Sequence, residues 1–262
     1  MLVVGERINA SRKSILEAIQ KKDAGFIQEE AKKQVEAGAN MLDVNAGVRI
    51  STEEEDMQWL VKTVQETVDI PLCIDSPNSK AIEAGLKVHK GKALINSITL
   101  QKDRITSILP LVKKYDTMVV ALTMDDKGMP ETSQERFEIC KKIVEAVKEQ
   151  GTPVESLYID PLVHPVSTDS KSCIITLETI RMIKNAFPVK FAMGLSNISF
   201  GLPNRRLINR IFLAMAMAMG LDGALIDPTD KDMMATISAG EALLGRDEYC
   251  MNYLTAFREN KL

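Results

Sequence analysis

The stretch "PLCID" is a short apolar run that stops on a carboxylate, Asp75, just before a turn and a helical segment. The same unit comes round eight times in 262 residues, and that recurrence limits the fold more than any other feature of the chain. The strand candidates are Leu2–Ile8, Met41–Asn45, Leu72–Asp75, Ala93–Ser97, Met118–Thr123, Leu157–Asp160, Phe191–Ser196 and Ala224–Asp227. Each is followed by residues with helical spacing. On the clearest segment Met57, Leu60, Val61, Val64 and Val68 share one face, with Thr52 and Glu55 as a capping box. A second has Thr132 and Glu135 as the box and Phe137, Cys140, Ile143, Val144 and Val147 as the stripe. "EAGAN" ends the first helix with a glycine. Short, continuously apolar strands separated by helices belong to a parallel sheet covered by helices. Eight such units in about 250 residues match a closed (β/α)8 barrel. An open doubly wound sheet is the alternative, but it usually carries a glycine-rich phosphate turn after its first strand, and "GERINASRKS" is not one. No linker or composition break divides the chain. The expectation is an α/β protein, a single TIM barrel domain over residues 1–262.

In such a barrel all strand C-termini point to one face, and that face carries the active site. Asp43, Asn45, Asp75, Asn96, Asp160, Asn197 and Asp227 are therefore expected to converge on one mouth. Any one of them could simply cap the following helix, as Asp and Asn do well. Asp75, Asn96 and Asp160, however, stop several residues before their helices begin. The ring is rich in acids and amides, with Arg7 and Arg205 as the cations at this face. A carboxylate accepts well from two adjacent N–H groups, such as the fork on a 2-amino-4-oxopyrimidine edge, and Asn96 suits a mixed edge. The residues alone thus point to a site for a neutral or donor-rich heterocycle.

Bulk properties exclude several other classes. The net charge of −3 offers no basic field for nucleic acid. No run approaches the ~18 apolar residues of a membrane span, and the N-terminus has no leader pattern, so the expected location is cytoplasmic. Cys73, Cys140, Cys173 and Cys250 lie far apart and accompany only His89 and His164, so no zinc spacing is present and buried thiols are expected. His164 reads as an ordinary loop histidine. "IFLAMAMAMGL", apolar on every side, is expected to be deeply buried or to lie at a subunit interface.

Taken together, "GERIN", "DVNAG", "CIDSPN", "LINSI", "YIDPL", "GLSNIS" and "NRRLINRIFLAMAMAMGLDGALID" resemble the methyltetrahydrofolate:corrinoid methyltransferases of anaerobic bacteria, in order and over essentially the whole chain. The resemblance implies a pterin-binding barrel that moves a methyl group between N5 of tetrahydrofolate and the cobalt of a corrinoid, cobalamin or a relative. That corrinoid is carried by a partner protein docking at the C-terminal face, and the enzyme is a homodimer. It further implies that Asp75, Asn96 and Asp160 hold the pterin, that Asn197 approaches N5 as the catalytic residue, and that Arg205 lies near the carboxylate-bearing tail. Asp43 and Asp227 take a secondary place. No zinc is implied, which sets aside a zinc-dependent thiol methyltransferase. In the acetogenic branch a glutamine stands three residues after the Asn of "SN"; here Phe200 stands there. The chain is thus more similar to the catabolic branch, which forms methyltetrahydrofolate from a methylated corrinoid protein. "MDDKGMPETS" and "PLVHPVSTDSKS" are the long mouth loops available to that partner. Dihydropteroate synthase is the rival of similar type, but its glycine-rich loop runs into Ser/Thr-Arg-Pro, where "DVNAGVRISTEEEDM" is acidic. A non-catalytic folate-binding subunit is the rival of another class, and turnover separates it.

Overall fold

Eight parallel strands close on themselves in chain order, β8 pairing back onto β1. They are β1 (Leu2–Asn9), β2 (Met41–Asn45), β3 (Leu72–Asp75), β4 (Leu94–Ile98), β5 (Met118–Leu122), β6 (Leu157–Asp160), β7 (Lys190–Gly194) and β8 (Gly223–Ile226). This computed structural model describes residues 1–47 and 51–262, so residues 48–50 of the "DVNAGVRISTEEEDM" loop lie outside the described residues.

Helices connect the strands and cover the barrel. α1 (Lys13–Lys21) and α2 (Ala24–Glu36) lie between β1 and β2, followed by α3 (Glu53–Gln65), α4 (Ser79–Leu86), α5 (Lys102–Lys114) and α6 (Ser133–Glu149). α7 (Ser172–Ala186), α8 (Arg205–Met219), α9 (Lys231–Leu243) and α10 (Met251–Arg258) complete the chain. The helix stripes read from the sequence pack against the outer face of the sheet: Met57, Leu60, Val61 and Val64 are fully buried, as are Cys140, Ile143 and Val147. Inside the barrel Val4, Met41, Cys73, Leu94, Val120, Tyr158 and Ala192 form a closed apolar layer. Strand side chains alternate between faces. One inward step above this layer therefore come Glu6, Asp43, Asp75, Asn96, Leu122, Asp160 and Gly194, and the site stands on that step.

Several local expectations differ from what is found. The β1–β2 connection holds two helices rather than one, because Lys22 adopts a left-handed conformation (φ 53°) and Asp23 then caps α2 by accepting from Phe26 N at 3.1 Å. Thr132 and Glu135 form their capping box, but Thr52 and Glu55 do not. The Thr52 hydroxyl instead donates to Asp56 at 2.7 Å. β7 stops at Gly194, and Leu195–Ser199 turns into a 3-10 helix. Cys73 and Cys140 are buried, whereas Cys250 is exposed. On α8, Phe212, Leu213, Ala216 and Met217 are buried, but Leu207, Ile211, Met215 and Met219, spaced four apart, face outward.

Candidate active site at the barrel mouth

Strand register brings the first four polar residues together. Asn45 lies beside Asp75, and Asp75 beside Asn96. Asn45 Nδ2 donates to Asp75 Oδ2 at 2.9 Å, while its Oδ1 accepts from Gly47 N at 2.9 Å, so the amide is fixed in orientation. Asp43 sits one inward step deeper than Asn45 and is 2% exposed. The Cys73 thiol and the Asn96 amide hydrogen-bond to its carboxyl, yet its Oδ1 is buried without a partner of its own among the described residues. Burial, and then the charge of Asp75, push Asp43 well above the usual carboxylate range. Asp75 is also raised by burial, checked by the bond from Asn45 and by the Arg104 charge.

Across the mouth, Asp160 ends β6. Its carboxylate accepts from the backbone N–H of Leu162 at 2.8 Å and from that of Gly194. Burial still pushes it up to about 6, against those two donors and the charge of Arg136. Burial thus favours the neutral form of both carboxyls, more strongly at Asp43 than at Asp160. Asn197, on the turn Leu195–Ser199, lies over Gly194: a Cβ added there would meet its Nδ2 at 3.5 Å. Gly194 N–H also binds Asp160, so the same glycine borders both the Asn197 amide and that carboxylate.

The β8–β1 side is built differently. Arg7 Nη1 donates to Asp227 Oδ2 at 2.9 Å, and Arg7 Nε to Glu30 Oε2 at 2.9 Å. Thr229 donates to Asp227 Oδ1 twice, through N at 3.0 Å and Oγ1 at 2.6 Å. Burial alone would raise the Asp227 carboxyl, but these bonds prevail and lower it. Asp227 and Arg7 satisfy each other. Arg205 braces its own loop, donating to Ser199 Oγ at 3.0 Å and Ser196 O at 2.7 Å, with its guanidinium 5.9 Å from the ring centre of Phe200. Phe200 is 64% exposed at the rim. His164 is half-buried, and burial with the Arg136 charge lowers its pKa.

Glu6 belongs to the ring although it was absent from the strand-end residues read from the sequence. Burial pushes it up to about 6 against Arg12, with Asp227 adding to the rise and Arg205 opposing it. Its signal was parity: Glu6 is two residues beyond the inward-facing Val4. Among the described residues no group of three or more His, Cys, Asp and Glu side chains could hold a metal ion. The mouth is therefore a set of carboxylate and amide acceptors, one buried oxygen of which lacks a donor. It suits a flat ligand edge rich in N–H groups.

Comparison with known proteins agrees with that chemistry. Residues 5–227 match the family described as pterin binding enzyme. The chain is 38% identical over 265 aligned residues to the methylcorrinoid:tetrahydrofolate methyltransferase of Eubacterium limosum, covering 100% of this chain and 98% of that one. It is 32% identical over 240 residues to the methionine synthase of Mycobacterium tuberculosis, covering 86% of this chain but only 20% of that longer one. Among solved structures, dihydropteroate synthase from Xanthomonas albilineans in complex with 7,8-dihydropteroate superposes with a TM-score of 0.70 at 18% identity, covering 94% of each chain. That likeness is one of fold.

Proposed function

The chain belongs to the family of pterin binding enzymes, and from that premise we propose that it transfers a methyl group between a protein-bound methylcorrinoid and N5 of tetrahydrofolate, forming methyltetrahydrofolate. The observation that carries the reading is the 38% identity along the whole chain to a methylcorrinoid:tetrahydrofolate methyltransferase. The acceptor-rich mouth supports it, because the pterin edge supplies the donors that the mouth lacks.

In this reading Asp75, Asn96 and Asp160 hold the pterin edge, and Asn197 stands at N5. Arg205 meets the carboxylate tail of the folate, and Asp43 supports Asn96 from below. The corrinoid cobalt, carried by a partner protein on the C-terminal face, gives up or receives the methyl group. N5 loses a proton when it is methylated and must be protonated before it can leave, so the residues around it must accommodate both states. An amide does not titrate in this range. Asn197 therefore changes its hydrogen-bonding role as N5 gains or loses the proton, while Asp160 supplies a fixed negative charge that favours the protonated state. Proximity does the rest, holding N5, methyl and cobalt in line.

The finer points belong to the same proposal. The whole chain acts as one barrel unit, cytoplasmic, in anaerobic one-carbon catabolism. A second copy covers the α8 stripe of Leu207, Ile211, Met215 and Met219, giving a homodimer. No described helix is long and apolar enough to cross a membrane.

Anaerobic incubation with methylcob(III)alamin and tetrahydrofolate tests the reading. Loss of the methyl–cobalt spectrum with formation of methyltetrahydrofolate is the expected result; failure to bind tetrahydrofolate at all would overturn it. Unchanged turnover in Asn197→Ala, with folate still bound, would remove that residue from the chemistry.

A further inference from the structure

Two arginines lie behind the candidate acids rather than among them. From α5, Arg104 donates through Nε to Ser97 O at 2.8 Å, through Nη2 to Ser76 O at 2.6 Å, and through Nη1 to Pro77 O. Ser76 and Pro77 directly follow Asp75, and Ser97 directly follows Asn96. From α6, Arg136 donates through Nη1 to Pro161 O at 2.8 Å and Leu162 O at 2.7 Å, the two carbonyls that follow Asp160, and more weakly to Pro130 O. Arg136 is among the largest fully buried side chains of the protein. Among the described residues the two guanidinium groups bond to backbone carbonyls, apart from a long contact from Arg136 to Thr176 Oγ1 at 3.4 Å. Neither pairs its fork with a carboxylate among the described residues.

A guanidinium offers donors in a rigid plane and remains charged, so three carbonyls around it are locked in mutual position. The Arg104 plane joins the turn after β3 to the end of β4. At Leu162 the lock has a second effect. That leucine has φ 63°, the left-handed region that a non-glycine residue avoids, and its N–H is one of the two donors to Asp160. By holding the Pro161 carbonyl, which shares one peptide plane with the Leu162 N–H, Arg136 keeps that peptide turned so that its N–H faces the carboxylate.

We propose that Arg104 and Arg136 are positioning residues for the folate, each fixing the backbone just beyond a pterin-holding side chain so that Asp75 with Asn96, and Asp160, meet the ligand in one set arrangement. The inference rests on reading the mouth as the folate site. It deepens that reading by giving the rigidity of the acceptor set to two residues that never touch the ligand. Their charges also act on the acids: Arg104 opposes the rise of Asp75, and Arg136 that of Asp160.

Tetrahydrofolate binding, measured anaerobically by fluorescence titration between pH 5 and 8, separates positioning from simple support of the fold. Arg104→Gln is expected to weaken binding by about tenfold, as loss of charge-assisted bonds does, and to move the acid limb of the binding profile to higher pH. Arg104→Lys should return that limb to the wild-type position by restoring the charge. Its affinity should stay reduced, because an ammonium cannot span three carbonyls as the planar fork does. Arg136→Gln should behave in the same way through Asp160; if it does not fold, the half-buried Arg104 carries the test alone. Folded glutamine variants that bind tetrahydrofolate with wild-type affinity and an unmoved limb would overturn the positioning role. Wild-type protein that fails to bind tetrahydrofolate would overturn the folate reading beneath it.

Discussion

Two arcs of one rim carry aspartates at matching strand ends and treat them in opposite ways. On the arc from β2 to β6, Asp75 and Asp160 take bonds from an amide and from backbone N–H groups, with the nearest cations held behind the loops on carbonyls. Their carboxyls are raised by burial. On the arc from β8 to β1, Asp227 is closed by Arg7 and Thr229, and its carboxyl is lowered. A carboxylate that already has a cation and two further donors has little left to offer a ligand. One that is buried, short of donors and held high is in an unfavourable state that a donor-rich ligand relieves. The direction of the pKa shift thus sorts acids that look alike in the sequence.

The largest difference should appear in folate binding. Asp75→Ala or Asp160→Ala removes charge-assisted bonds to the pterin edge and is expected to lower tetrahydrofolate affinity by about 100-fold. Asp227→Ala should change it by less than about threefold, since an ion pair on the rim contributes little to a ligand it does not touch. Titration of the three variants under anaerobic conditions decides this; equal losses would mean the arcs are functionally one.

A second difference lies in acid sensitivity. Asp160 must be ionised to accept from two N–H groups, and its carboxyl stands at about 6. Affinity for tetrahydrofolate should therefore be flat above pH 7 and fall by about tenfold per unit below pH 6, as one required deprotonation dictates. Asp160→Asn should remove Asp160's share of that limb along with most of the affinity, leaving the share that Asp75 sets. A limb that Asp160→Asn leaves wholly unmoved would assign it to Asp75 alone.

Stability should separate the arcs by sign. A carboxyl raised in the folded state gives stability that is complete below its unfolded value and is lost as pH rises through the folded one. For Asp160 that loss falls between pH 4 and about 6, so at pH 7.5 the ionised group burdens the fold. Asp160→Asn is then expected to gain about 1–2 kcal/mol at pH 7.5 and nothing at pH 4, after allowing for the solvent that reaches the mouth. Asp227 is lowered, so its contribution is present at neutral pH and disappears on acidification. Asp227→Asn should cost about 1 kcal/mol at pH 7.5, since Arg7 keeps Glu30 as a partner. Denaturant unfolding at both pH values checks the two signs.

How far these differences could be read from the chain depends on what each one rests upon. Strand count, closure and the inward ring follow from apolar runs and alternation, which are local patterns. Glu6 obeys the same alternation, two residues beyond Val4, but lies inside β1 rather than at a strand end, so only its parity marks it. The opposite states of Asp160 and Asp227 were not legible, because Arg7 and Asp227 are 220 residues apart and only barrel closure pairs them. Arg104 and Arg136 were hidden for a related reason. An arginine on an amphipathic helix reads as solvated surface, and its acceptors here are carbonyls, which every residue possesses. The Thr52–Glu55 box does not form because Thr52 takes ψ 4° where Thr132 is extended at ψ 155°, and its hydroxyl instead donates to Asp56.

The smallest test asks whether the β8–β1 arc is closed by several bonds or by Arg7 alone. Thr229→Val keeps the shape of the side chain and the backbone N–H donor at 3.0 Å, and deletes the hydroxyl bond to Asp227 at 2.6 Å with the long one the hydroxyl accepts from Arg7 Nη1 at 3.4 Å. Arg7 remains on the other carboxylate oxygen. One neutral donor lost to a charged, half-buried acceptor is expected to cost about 1 kcal/mol of stability at neutral pH. The cost should shrink as Asp227 is protonated on acidification, since a neutral carboxyl gains less from the bond. Tetrahydrofolate affinity should stay unchanged. If Thr229→Val instead weakened folate binding, Asp227 would be reaching the ligand through the very oxygen that the hydroxyl occupies. The rim would then hold one continuous site rather than two arcs.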